Sequence, residues 1–218
     1  MFKNLQVTLY ELFGYFLPGI VALVGVCVLF WTLYLPATPL PLRRPIAETW
    51  LLMAVAAYFL GHLVHSIGNH IGHPEYDALD EARWEKLMPV QLLVEAKKKV
   101  ATATQLAVKD INGMLLFSFC DESLSQGGQI GDREIYQYRS GFYKSAMVSL
   151  VLLSGALFLR LLIPGASLLI RCEIVTISRL QIMFPLVFCI AGVIVAYERF
   201  NWFGSHRARR AVLALLLK

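Results

Sequence analysis

A polar stripe made of three histidines and one asparagine is the part of this sequence best suited to chemistry. It lies at the end of an apolar stretch, ETWLLMAVAAYFLGHLVHSIGNHIGH, which ends at His73. The helical rotation of about 100° per residue places four polar side chains within an arc of about 80°. They belong to His62, His65, Asn69 and His73. Polar groups at membrane depth are unfavourable unless they face protein, water or a ligand, so this stripe is the first candidate for a functional site.

The two consecutive HxxH patterns of this stretch resemble, in spacing, the histidine boxes of integral-membrane metal-dependent hydroxylases and desaturases. The resemblance implies iron or zinc bound by neutral imidazoles. Those families have several separated boxes, whereas the only other histidine here is His206. A two-metal oxidase is therefore disfavoured, but a single metal ion is retained as an alternative. Its candidate ligands are His62, His65 and His73, with Glu75 or Asp77.

Two further interpretations of the stripe need no metal. The histidines could line a polar pathway or form a ring at an oligomer axis, where they would titrate near neutral pH. Alternatively, they hydrogen-bond neighbouring helices where the chain leaves the membrane. We favour this last interpretation, and we expect no cofactor.

The composition places the chain outside the usual range of soluble proteins. Of its 218 residues, 57% are hydrophobic and 16% are charged, and the mean hydropathy is +0.60. These values predict a membrane protein. The net charge of +5 is explained by basic residues on cytoplasmic loops that contact anionic lipid, so nucleic acid is disfavoured as a partner. The four cysteines have no metal-ligand spacing.

Four apolar runs are long enough to cross a bilayer whose hydrocarbon core is roughly 30 Å thick. Their approximate bounds are Phe13 to Leu35, Thr49 to Ile67, Ser145 to Ile163 and Ile182 to Tyr197. The predicted fold class is therefore an all-α membrane protein with four transmembrane helices and a cytoplasmic helical insertion between spans two and three.

The chain divides into four predicted segments. Residues 1–73 form an N-terminal interfacial helix and the first transmembrane hairpin, and 74–141 form the insertion. Residues 142–200 form the second hairpin, and 201–218 are a basic amphipathic tail. The proline-rich PATPLPLRRPIAE is expected to be a turn, and ASLLIRCEIVTISRLQ to lie on the membrane face or fold back into the protein.

Within the insertion, one helix has a predicted apolar seam, which consists of Leu92, Ala96, Val100, Ala103 and Ala107. Such a seam packs on another helix or on a second subunit. Between Ile111 and Phe119 the pattern does not decide between helix and strand.

Charge distribution predicts which side of the membrane each segment occupies. An even number of spans puts both termini and the insertion on one face, and this face carries most of the Lys and Arg residues. The positive-inside tendency makes it the cytoplasmic face of a bacterial inner membrane. Arg43 and Arg44 in the first connection oppose this orientation, because they outweigh Lys3 on the other side of span one.

We expect the chain to form a homo-oligomer and to bind a cytoplasmic protein partner. Small residues allow helices to approach closely, and the candidate helix contacts are Ser154, Gly155, Ala156, Ala191 and Gly192. Basic residues are candidates for contact with lipid head groups or a partner. They are Lys97, Lys98, Lys99, Arg207, Arg209 and Arg210.

The function that we expect is not enzymatic. The layout, with several spans and a soluble helical insertion, is similar to that of some bacterial anti-phage effectors. It favours an oligomeric sensor, scaffold or pore-type effector whose cytoplasmic helices receive a partner. The alternative is a membrane-embedded metal-dependent enzyme that uses His62, His65 and His73 on an apolar substrate.

Overall fold

The computed structural model describes residues 2–34, 40–41, 47–70, 84, 86–126, 130–163, 167–170, 173–176 and 178–217. Within these ranges the chain forms six α-helices and three short strands. The helices are α1 (Phe2–Tyr34), α2 (Ala47–His70), α3 (Val90–Thr104), α4 (Gly113–Gln126), α5 (Ile130–Leu162) and α6 (Arg179–Leu216). A short 3-10 helix, Val108–Asp110, lies between α3 and α4.

Four of these helices are long and apolar enough to cross a membrane, which suggests a membrane protein. The apolar segments are Leu12–Tyr34, Ala47–His70, Tyr136–Leu162 and a part of Arg179–Leu216. They coincide with the four predicted spans, so the prediction of four such helices is confirmed. Large apolar side chains on α6 are widely exposed, for example Phe184 at 77% and Phe188 at 74%. Lipid would cover such side chains without the free-energy penalty that water imposes.

Three helices extend far beyond the predicted spans: α1 and α6 do so at the two ends of the chain, and α5 begins at Ile130 instead of near Ser145. The predicted N-terminal interfacial helix is the beginning of α1, and the predicted basic amphipathic tail, residues 201–218, is the end of α6. The sequence YERFNW, which begins at Tyr197, contains no proline or glycine, so nothing in the backbone chemistry ends the helix there.

Side chains of the chain itself define where two helices begin. The Asn112 side-chain oxygen accepts a hydrogen bond from the Leu115 N–H at 2.8 Å, as an N-cap of α4. Before α6, the Ser178 N–H donates to Oε1 of Gln181 at 2.8 Å, and the Gln181 N–H lies 3.4 Å from the Ser178 hydroxyl. This reciprocal pair is a capping box.

A small sheet joins the two segments that connect the apolar helices. Its strands are β1 (Leu40–Pro41), β2 (Ser167–Ile170) and β3 (Glu173–Thr176), in the order β1-β2-β3. β1 pairs with β2 in parallel, with Leu40 opposite Leu168. β2 and β3 are antiparallel, with Ser167 opposite Thr176. The sheet adds to the helical fold class that the sequence predicts, and Pro41 is on an edge strand, where a missing N–H is tolerated.

The chain folds into two compact units. The first consists of Met1–Gly68 and Gly141–Glu198, and the second of Asn69–Ser140 and Arg199–Lys218. The C-terminal part of α6 therefore belongs with the insertion. The helices α5 and α6 each contribute residues to both units without a break in the helix.

The first unit depends on very close packing of α1 against α2. A Cβ atom at Gly19 would overlap the backbone carbonyl of Ala57, and a Cβ atom at Gly61 would overlap the carbonyl of Tyr15. Only glycine permits such an approach of two backbones. The contact brings Tyr15 to the turn of α2 that begins the histidine stripe.

The second unit has its own hydrophobic core, built from α3, α4 and the end of α6. Ala208, Ala211 and Val212, at positions i, i+3 and i+4 of α6, form one face of that helix and are fully buried. The buried core comprises Trp84, Met88, Leu93, Ala96, Val100, Ala101, Ile111, Leu116, Phe117, Cys120, Ala208, Ala211 and Val212.

Candidate functional site

The histidine stripe is anchored to α5 by a chain of hydrogen bonds. The Nδ1 atom of His65 lies 2.9 Å from the hydroxyl oxygen of Ser145, which in turn lies 2.9 Å from the carbonyl oxygen of Gly141. One turn further along α5, the Ser149 hydroxyl donates to the Ser145 carbonyl at 3.0 Å. Ser145 and Ser149 are fully buried. A Cβ atom at Gly141 would lie 3.1 Å from Cε1 of His65, so the glycine leaves space for the imidazole edge.

These bonds favour one tautomer of neutral His65. A serine hydroxyl has one proton, and a carbonyl oxygen can only accept, so the Ser145 proton points to Gly141. The Ser145 oxygen must then accept a hydrogen bond from Nδ1–H of His65. The lone pair of the neutral imidazole is consequently on Nε2, which is the atom able to take up a proton or bind a metal ion.

His62 is held between two tyrosine rings. Its imidazole stacks on Tyr15 of α1 with ring centroids 4.0 Å apart, and it meets the Tyr58 ring edge-on at 4.6 Å. Tyr15 also meets His65 edge-on, at 5.0 Å. The ring of Tyr15 therefore contacts both histidines. Helices α1, α2 and α5 thus all contribute to one polar group around His62 and His65, the histidine cluster.

A buried lysine belongs to the same face of α5. Lys144 is 4% exposed, and its Cγ atom would lie 3.0 Å from a Cβ atom at Gly68. Gly141, Lys144 and Ser145 are at positions i, i+3 and i+4 and share one helix face. Lys144 contacts α2 at Gly68, and Ser145 contacts it one turn away, at His65. Lys144 therefore adds a positive charge to the cluster.

The other polar residues at this end of α2 are exposed or lie outside the described residues. Asn69 and His70 are exposed. The proposed ligands His73, Glu75 and Asp77 lie outside the described residues. Among those that are described, no three His, Cys, Asp or Glu side chains converge on one point. The metal site therefore stays a prediction.

A second buried cation lies elsewhere in the first unit. Arg160 of α5 is 1% exposed, and its Cζ atom lies 4.0 Å from the ring centroid of Trp31 on α1, a cation–π contact. The sequence indicates only that Arg160 is near the end of a span. Its burial against Trp31 depends on the packing of α1 on α5.

The five predicted helix-contact residues differ in how far they are buried within the chain. Ala156 is buried, and a Cβ atom at Gly192 would lie 3.0 Å from Leu150, so these two pack within the chain. Gly155 and Ala191 are exposed, and no atom lies within 4 Å of a Cβ atom built at Gly155. Ser154 is half-buried. Contacts between copies stay a prediction for the exposed pair.

The basic residues of the second unit also differ in their surroundings. Nη2 of Arg207 lies 3.2 Å from Asp121, and its Cζ lies 5.3 Å from the Phe117 ring. Nζ of Lys99 donates to the carbonyl oxygens of Leu215 and Leu216, at 3.3 Å each. Lys98, Arg209 and Arg210 are exposed and Lys97 is half-buried. Arg207 and Lys99 thus have structural roles in this unit.

Several members of the histidine cluster were not singled out from the sequence. They are Tyr15, Gly141, Lys144, Ser145 and Ser149. A usable signal was present, because two serines four residues apart in an apolar span need partners.

Comparison with family models, curated proteins and solved structures finds no match to this chain, so its function is argued from its own residues.

Proposed function

We propose that this chain is a polytopic protein of the bacterial inner membrane that acts without catalysis, as an oligomeric sensor, scaffold or pore-type effector. In this proposal both termini and the second unit are cytoplasmic, and the second unit receives a protein partner. The spans respond to that partner.

One observation carries the proposal: α5 and α6 run unbroken from residues of the second unit into the apolar segments of the first. A helix transmits a rotation or a shift along its axis because its backbone hydrogen bonds are continuous. The second unit also has a core of its own, which gives a partner a folded surface to bind.

The histidine cluster supports a structural role better than a catalytic one. Nδ1 of His65 is used by Ser145, and His62 is stacked on a tyrosine ring. Both are interactions that hold α1, α2 and α5 together. In this proposal the cluster fixes the arrangement of three spans.

Reconstitution tests this function directly. The full chain in liposomes is assayed for dye leakage, and its mass is measured in nanodiscs. An oligomer, with or without leakage, supports an effector or a scaffold, whereas a monomer that leaks no dye contradicts it. Sidedness is tested separately with a tag inserted beside Lys98, which must be accessible only from the cytoplasm.

The alternative is a metal-dependent enzyme, and the observation that favours it is the contact of His65 Nδ1 with Ser145, which directs Nε2 to other partners. Elemental analysis of the purified chain decides between the two. A stoichiometric transition metal that is lost in both His62→Ala and His65→Ala supports the enzyme. A metal content that these substitutions do not change contradicts it.

A further inference from the structure

Three polar side chains form an exposed row on α2. Tyr58, His62 and Ser66 are at positions i, i+4 and i+8, so they share one helix face, and all three are exposed. The centre of this face is turned by about 120° from the buried pair Ala57 and Gly61, which packs closely on α1. The row therefore lies on the surface of the first unit.

This polar row reaches the middle of a candidate span. Helix α2 extends from Ala47 to His70, so Tyr58 is about 17 Å from either end of the helix at 1.5 Å per residue. The neighbouring side of α2 exposes Phe59 and Leu63, which are side chains suited to contact with lipid. If α2 crosses the bilayer, an exposed hydroxyl at this depth faces hydrocarbon, which offers no hydrogen-bond partner.

Two members of the row use only their rings within the chain. His62 stacks on Tyr15 and meets Tyr58 edge-on. Among the described residues, neither the Tyr58 hydroxyl nor the His62 imidazole makes a hydrogen bond. Ser66 has an interaction within the chain, so it contributes through its exposed position and not through a missing bond. Polar groups in a span are strongly unfavourable unless they face protein or water, so we expect polar groups from outside the chain to cover the row.

A second copy of the same chain supplies the required groups. Tyr58 has a hydroxyl proton to donate, and neutral His62 has one ring nitrogen that accepts. A two-fold interface must be complementary to itself. In a symmetric pair of parallel α2 helices, Tyr58 of each copy can donate to His62 of the other. No Lys, Arg, Asp or Glu follows Glu48 in α2, so the two faces meet without repulsion between fixed charges.

We propose that the row of Tyr58, His62 and Ser66 is the surface through which two copies of this chain associate in the membrane. The inference rests on the proposed function, in which α2 crosses the bilayer and the chain forms an oligomer, and it names the surface used. Hydrogen bonds between side chains favour helix association in lipid, where the hydrophobic effect does not. The contact is then on α2 and not at the small residues Gly155 and Ala191.

Disulfide crosslinking in liposomes locates the surface. The full chain, with its native cysteines replaced, carries either Ser66→Cys or Ile67→Cys. Ile67 is the matched control, because it is the next residue and is also exposed but is turned about 100° away. Ser66→Cys should form a disulfide dimer at least about 10-fold faster, since a disulfide requires Cα atoms within about 7 Å. Equal rates for the two variants would indicate random collision and would overturn the proposal.

A single hydroxyl tests the hydrogen bonds. Tyr58→Phe keeps the ring contact with His62 but removes both donors of the symmetric pair, so the Kd between copies should rise about 10-fold. Energy transfer between labelled copies in liposomes measures this Kd. Tyr197→Phe is the control, because Tyr197 is an exposed tyrosine on α6, and its Kd should not change. An unchanged Kd in Tyr58→Phe overturns the proposal, and this variant is required to unfold in detergent at the temperature of the unsubstituted chain.

The same experiments separate this surface from the proposed function. An oligomer that is crosslinked through Gly155→Cys or Ala191→Cys, and not through Ser66→Cys, overturns the α2 surface but agrees with the proposed function. A chain that stays monomeric in liposomes overturns the surface and contradicts an oligomeric function as well.

Discussion

The Nδ1 atom of His65 lies 2.9 Å from the hydroxyl oxygen of Ser145, eighty residues further along the chain. Because the serine proton is directed to Gly141, this contact requires His65 to donate and Ser145 to accept. The bond therefore fixes the imidazole orientation and joins the first apolar hairpin to the second.

Removing the acceptor should destabilise the chain more than removing a neighbouring hydroxyl. In Ser145→Ala the N–H of half-buried His65 loses the Ser145 oxygen, and a buried donor whose hydrogen bonding is weakened in this way costs up to about 1 to 3 kcal/mol. The matched control is Ser149→Ala, because the Ser149 hydroxyl bonds only within its own helix in the described contacts. Unfolding in a detergent titration measures both, and equal losses would show that the His65 contact adds no stability.

Two glycine substitutions should have opposite effects on stability, because only one of the two glycines lies in the close contact between α1 and α2. Gly61→Ala places a methyl group on the backbone carbonyl of Tyr15, so the helices must separate, at roughly 2 to 3 kcal/mol. Gly155→Ala meets nothing within 4 Å and improves helix propensity by up to about 1 kcal/mol. Thermal unfolding of the two variants provides the comparison. A tolerated Gly61→Ala would show that the backbones are not in contact.

The ion pair between Arg207 and Asp121 should contribute strongly to the second unit. The side chains are only 9% and 14% exposed, so Asp121→Asn leaves a desolvated guanidinium without its counter-charge. Breaking such a pair from one side costs roughly 3 kcal/mol. The control is Glu122→Gln at the next, exposed position. Chemical denaturation is the measurement, and a loss for Asp121→Asn no larger than that for Glu122→Gln would contradict the prediction.

Cys120 should be nearly unreactive in the folded chain. Burial, with a smaller effect from the Asp121 charge, raises the pKa of the Cys120 thiol to about 12, and the thiolate is the reactive form. Iodoacetamide at pH 8 should label Cys120 at least about 100-fold more slowly in the folded than in the unfolded chain. The other three cysteines are replaced in this experiment. A control chain carries Ser118→Cys, an exposed position, in place of Cys120 and should be labelled rapidly. Similar labelling rates for the two chains would contradict burial of the thiol.

The same shift sets a direction for stability against pH. The folded chain holds the Cys120 proton more tightly than the unfolded chain, in which the thiol titrates at about 9. The stabilisation is therefore complete below about pH 9 and is lost as the pH rises from there toward 12. Cys120→Ala removes this dependence, so comparison of the two unfolding curves between pH 8 and 11 isolates it. Identical pH dependence in both chains would contradict the prediction.

Apolar composition was sufficient to predict four helices long enough to cross a membrane, since a run of this length favours one secondary structure regardless of its neighbours. Composition was less informative about which face of each helix is buried. The seam predicted near heptad spacing includes Ala103 in α3 and Ala107 beyond its end, but both are exposed. The helix buries Ala96 and Val100 of that seam together with Leu93 and Ala101, which follow the 3.6-residue period of a straight helix. Gln105, with a φ of 58°, ends it.

What the sequence determined by itself was where the chain is apolar, where it is charged and that polar groups occur on one stripe of α2. Only the tertiary structure decided that His65 bonds Ser145, that Gly19 and Gly61 rather than Gly155 mark the close helix contact, and that α6 completes the core of the second unit. The physical reason is that periodicity is a property of one helix, whereas a hydrogen-bond partner or a backbone contact depends on a second helix distant in the chain.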